Sequence, residues 1–273
     1  MDLQEVLDTR EGPIAERWAQ QHIERSRVML FHTVKRSREL PPPSAESWLG
    51  KLDTLTTPFE TSQQVRVFAQ VAAENLQEVN NTLKKRLPLY SLYSMIRAAM
   101  ESASLGLWIL DGKNEQIAAS RTLRIYRQNI ESDRTLWKTV VGRNSGRHAQ
   151  LSDFAEACHL NLKGIHPTDF EKAVKSTDVI AAVDRNHPSQ SSDFDVFTGL
   201  EVWRLCSAVT HANQVSLINI MERHPEGALG ESVTRTSRLS FVASFYSTAL
   251  FRTKTLLDSF EQRSEPKALP ARN

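Results

Sequence analysis

Leu89-Tyr90-Ser91-Leu92-Tyr93-Ser94-Met95-Ile96-Arg97-Ala98-Ala99-Met100-Glu101-Ser102-Ala103-Ser104-Leu105-Gly106-Leu107-Trp108-Ile109-Leu110 is the stretch that decides the fold. It is apolar around most of a helical circumference, so it belongs at the centre of a helical core. Arg97 and Glu101 stand at its middle, and a bilayer would penalise both charges, so it is not a membrane span. Asp111-Gly112 marks a turn after it, and Pro88 precedes it.

Helical patterns continue on both sides. Val65, Phe68, Ala69, Ala72 and Leu76 recur at helical spacing, which predicts a helix from a cap at Thr61 or Ser62 through Arg86. Asn114 is placed to cap a helix running to Val141. Upstream, Pro13 suits the first turn of a helix over 14–39, which Pro41-Pro42-Pro43 stops, and a short helix follows over 46–55. Downstream, 142–148 reads as a basic loop, 152–162 and 168–183 as short helices, and 186–199 as a polar loop. Two long helices are predicted over 199–223 and 231–262. No run alternates with period two for more than a few residues, and there is no internal repeat.

The expected fold is therefore all-α: an antiparallel helical bundle with an N-terminal helical appendage and a small-helix insertion. The boundaries read are 1–60 for the appendage, 61–262 for the bundle with its insertion at about 142–198, and 263–273 for a flexible tail. Ten glycines and 11 prolines among 273 residues agree with a helix-rich chain.

Composition narrows function by exclusion. A net charge of +2 supplies no global field toward nucleic acid or membrane. The opening Met1-Asp2-Leu3-Gln4-Glu5 has no apolar run behind it and does not read as a signal peptide. Two cysteines, Cys158 and Cys206, form no disulfide framework, and a cytoplasmic location is expected. No P-loop, G-x-S-x-G, H-E-x-x-H or C-x-x-C is present. One E-x-x-H, Glu156 to His159, falls short of the two such elements and two further glutamates that a di-iron bundle needs. No cofactor and no metal site are expected.

Three constellations carry chemistry. Arg97 and Glu101 share one helix face at i, i+4, and Arg121, Arg124 and Arg127 lie on one side of the next helix. Together they would make either an ion network that fixes bundle register or a pocket for an anion. On the late helix Glu201, Arg204, Ser207 and His211 form a polar stripe, because seven residues make nearly two turns. Arg143, Arg147 and His148 sit on the basic loop and suit phosphate contacts, or are simply solvated.

Arg204-x6-His211 on a late helix, with Arg97-x-x-x-Glu101 on an earlier one, resembles the HEPN superfamily of helical-bundle proteins over about residues 90–262. The resemblance implies a homodimer in which two R-x(4–6)-H elements face each other. It also implies metal-independent cleavage of RNA, in defence or stress, with a possible antitoxin partner. Arg204 and His211 would be catalytic, supported by Arg97, Glu101, Arg121, Glu201 and Ser207. Histidine titrates near neutrality and can serve as acid or base, while a fixed guanidinium stabilises charge on a phosphoryl oxygen. Leu205 follows the arginine where active members often carry a polar residue. The alternative function is a non-enzymatic helical module that binds a partner protein or a small ligand.

Overall fold

In a computed structural model, which describes residues 10–141, 146–188, 197–226 and 232–266, the chain is all-α, a helical bundle with one two-stranded hairpin among those residues. Contacts gather it into two compact units. The first comprises residues 1–38, 69–103 and 187–255, and the second 39–68, 104–186 and 256–273.

In chain order the helices are α1 (Pro13–Glu39), α2 (Trp48–Thr56), α3 (Thr61–Leu83), α4 (Ser91–Leu110), α5 (Glu115–Val141), α6 (Gly146–Leu160), α7 (Ser176–Asn186), α8 (Gly199–Thr210), α9 (Gln214–Ile220) and α10 (Leu239–Ser264). A 3-10 turn spans Pro167–Asp169. Strands β1 (Met221–Glu226) and β2 (Ser232–Ser237) pair antiparallel ahead of α10.

α4 is as central as its composition requires, since no residue from 95 to 110 is exposed. In the first unit Leu92, Tyr93, Ile96 and Met100 are buried along with Leu76, Val79, Val202, Val209, Phe245 and Tyr246. In the second, Leu107 and Leu110 are buried with Leu49, Leu52, Leu123, Ile180 and Phe260. Gly50 must lack a side chain, because a Cβ there would lie 2.1 Å from the Ser44 carbonyl oxygen.

Several boundaries differ from expectation, each for a local reason. α3 ends at Leu83 rather than Arg86, and its early Ser62 N–H is received by Asp53 Oδ1 at 2.8 Å, so α2 supplies the cap. Asn114 does cap α5, its Oδ1 accepting the Ile117 N–H at 2.9 Å. The expected helix over 168–183 is a 3-10 turn, a turn-and-bend link and then α7, because arginines of α5 take the carbonyls of the link.

The largest correction falls at 199–237. α8 stops at Thr210, Ala212 turns into the left-handed region with φ 53°, and Asn213 restarts a helix by accepting the Ser216 N–H. Residues 221–237 then form the hairpin where continuous helix was expected, and α10 begins at Leu239 instead of Glu231. The strands carry almost no period-two signal, since Met221-Glu222-Arg223-His224 and Val233-Thr234-Arg235-Thr236 hold one apolar residue each, and Pro225, Gly227 and Gly230 between them are the only turn signals.

Within the second unit, the outer part of α5 is exposed from residue 131 to 140 and carries Leu136, Trp137 and Val140 at 59%, 49% and 71% exposure. α6 packs against α5, and Phe154 on α6 is likewise exposed.

Candidate functional site

Arg97 and Glu101 pair at 3.5 Å, both side chains less than a third exposed. Their shared partner is Trp203 on α8. Its Nε1–H donates to Glu101 Oε2 at 3.1 Å, and the Arg97 guanidinium lies 5.0 Å from the indole centroid. One turn further on, the Ser94 and Thr210 hydroxyls meet at 3.1 Å. The charges on α4 therefore fasten α8, as a register-fixing network would. Buried Cys206 lies beside the network, and burial pushes its thiol far above the usual range, with Arg97 opposing. One buried donor, Arg97 Nε–H, is left without an acceptor.

Arg121 does other work. It lies over Trp108 at 4.9 Å and donates to the Trp108 carbonyl. Arg124 donates to the carbonyls of Lys172 and Ala173, and Arg127 to that of Glu171 at 2.8 Å. Burial lowers the Arg121 and Arg124 pKa, with Asp111 and Asp169 respectively opposing. This row of arginines serves the link 171–173, whose carbonyls no helix satisfies.

The stripe on α8 separates into different roles. Glu201 is the N3 member of a capping box: its Oε2 accepts the Thr198 N–H at 2.7 Å, and Thr198 Oγ1 accepts the Glu201 N–H. Ser207 is half-buried, and its carbonyl receives the His211 N–H at 2.9 Å. His211 is the C-cap residue rather than part of a continuing helix. Arg204 and His211 are both exposed, and among the described residues neither side chain is held by a hydrogen bond or ion pair.

The basic loop is corrected as well. Arg143 lies outside the described residues. Arg147 is exposed in the first turn of α6, so this segment is helical from Gly146 onward. His148 is 8% exposed, with Nε2 2.6 Å from Asp133 Oδ2, so it joins α6 to α5.

Sequence reading missed a cleft of about 610 Å³ in the first unit, walled by α1, the segment after α3 and the hairpin. The register sets Glu222 directly opposite Thr236, and strand alternation puts His224 on the same face. Glu222 is 7% exposed. Its Oε1 accepts the Glu11 N–H at 2.5 Å and its Oε2 the Thr236 hydroxyl at 2.9 Å. His224 Nε2 is 2.9 Å from Thr236 Oγ1 and 3.7 Å from Glu222 Oε2. The Glu11 carboxylate accepts the Ser240 N–H at 3.0 Å and so caps α10. Ser237 donates to the carbonyls of Pro88 and Leu89 and pins the hairpin to the approach to α4.

Cations face this cleft from the other walls, together with the carboxylates of Glu16 and Glu24 on α1. Lys84, Lys85 and Arg86 are exposed at its rim, and Arg27 lines it from α1. Arg27 pairs with Glu24, yet its buried Nε–H has no acceptor. Among the described residues no group of His, Cys, Asp and Glu is arranged to hold a metal ion, and no helix is long and apolar enough to cross a membrane. In comparisons with known proteins, no family model, curated protein or solved structure matches the chain.

Proposed function

We propose that this protein is a helical ligand-binding module whose cleft in the first unit takes a small anionic molecule. The observation that carries this reading is Arg27. Arg27 lines the cleft with its side chain about one-third exposed, so guanidinium donors other than the buried Nε–H are open to an anionic oxygen there. Lys84, Lys85 and Arg86 add three positive charges at the rim. Basic residues at a helix C-terminus complement its dipole, but three in succession beside a cleft exceed that need.

Titration calorimetry with inorganic phosphate and simple phosphate monoesters tests the reading. Binding is expected to weaken as salt is raised. Arg27→Met should weaken it about tenfold or more, the usual size for a charge-assisted hydrogen bond. An absence of binding at millimolar phosphate or monoester rejects the reading.

A second reading is a metal-independent ribonuclease of HEPN type, acting on RNA as a homodimer through Arg204 and His211. The exposure of both side chains, Arg204 midway along α8 and His211 at its C-cap, favours it, since a second copy would reach them there. Purified protein would then cut single-stranded RNA in excess EDTA, and His211→Ala would slow cleavage by about 10²–10⁴-fold. Light scattering would give twice the 30.9 kDa chain mass. Intact RNA, or equal cleavage by His211→Ala, excludes this reading.

A further inference from the structure

We infer that the ligand of the cleft is an anion that also carries a hydrogen-bond donor, a hydroxyl or an amine, and that His224 Nδ1 receives that donor. This rests on the anion-binding reading above and assigns the other end of the ligand.

A carboxylate can only accept, so the single Thr236 hydroxyl proton is committed to Glu222 Oε2. The Thr236 oxygen, 2.9 Å from His224 Nε2, must then act as acceptor. Nε2 therefore carries the proton, and in a neutral ring Nδ1 presents a lone pair. Glu222 is held from its other side by the Glu11 N–H, so it is not free to swing away and release the hydroxyl. The relay runs from backbone through carboxylate and hydroxyl to the ring, and it fixes both tautomer and orientation.

Among the described residues nothing accepts from or donates to Nδ1, and the ring is about one-third exposed where it lines the cleft. The cleft thus sets cationic donors, Arg27 and Lys84 to Arg86, and one fixed neutral acceptor beside the carboxylates of Glu11, Glu16, Glu24 and Glu222. A bare anion uses only the first. An anion bearing a hydroxyl or amine uses both.

The test has two parts, both on the full chain. Nitrogen-15 NMR of the imidazole at pH 8 reads the tautomer of the ligand-free protein, and the Nε2–H form is expected. The Nδ1–H form, or a doubly protonated ring, overturns the inference without any ligand.

Calorimetry with glycerol 3-phosphate and propyl phosphate then compares probes alike in phosphate and carbon chain but different in hydroxyls. Glycerol 3-phosphate is expected to bind about five- to tenfold more tightly, the worth of one hydrogen bond. Thr236→Val, close in shape but without the relay hydroxyl, should bring that ratio near unity. Equal affinities in the wild-type protein overturn the donor assignment and leave the anion reading standing. Binding of neither phosphate at millimolar concentration overturns both.

Discussion

At the scale of single residues, the network joining Arg97, Glu101 and Trp203 shows what sequence could and could not reveal. The i, i+4 spacing placed the two charges together, and they do pair. Nothing in spacing pointed to Trp203, because its partnership depends on how α8 packs. Trp203→Phe removes the indole N–H and the best cation–π face, and should cost about 1–2 kcal/mol in urea unfolding. Glu101→Gln removes the charge but keeps an acceptor. If the three groups act as one unit, the double variant will depart from additivity by at least about 0.5 kcal/mol. Strict additivity would show three independent contacts. The cleft residues were harder to see for a similar reason. Glu222, Thr236 and His224 share a face only once a hairpin exists, and Glu11 lies 211 residues away in sequence from the carboxylate it holds.

Among elements, long helices were legible and the departure from them was not. Apolar periodicity over 61–141 is sustained, so α3, α4 and α5 stand within a few residues of expectation. From Gly199 onward the same reading carried one helix through to 223, although α8 ends at Thr210. Thr198 and Glu201 advertise the start of α8 through their spacing, whereas its end has no glycine, only Ala212 at φ 53°. A left-handed conformation costs a residue with a Cβ about 1–2 kcal/mol, and glycine avoids it. Ala212→Gly is therefore expected to stabilise the fold by about 0.5–1 kcal/mol, after the added freedom of the unfolded chain is subtracted. The urea midpoint should rise with an unchanged slope. A lower midpoint would mean that this turn is not strained.

For the whole molecule, stability should fall in mild acid through His159. Its ring is 1% exposed, with Nε2 2.9 Å from the Ser120 hydroxyl. Burial lowers its pKa below the ordinary 6.5, with Asp169 opposing and Arg124 reinforcing. The unfolded chain thus takes the proton at higher pH than the fold does, and protonation pulls toward unfolding. Stability is complete above about pH 6.5 and declines as pH falls toward and through the lowered value. His159→Gln should flatten that part of the profile, and an unchanged profile would assign the acid sensitivity elsewhere. The tryptophans carry a different consequence. Trp48, Trp108 and Trp203 each lie under an arginine, and Trp18 stacks on His22. Trp137, 49% exposed on the outer part of α5, has no such cover among the described residues. The chain therefore carries its own optical probe of that arm. Acrylamide should quench a red-shifted component of the emission that Trp137→Phe abolishes, and anything that settles on the arm will shift that component to the blue.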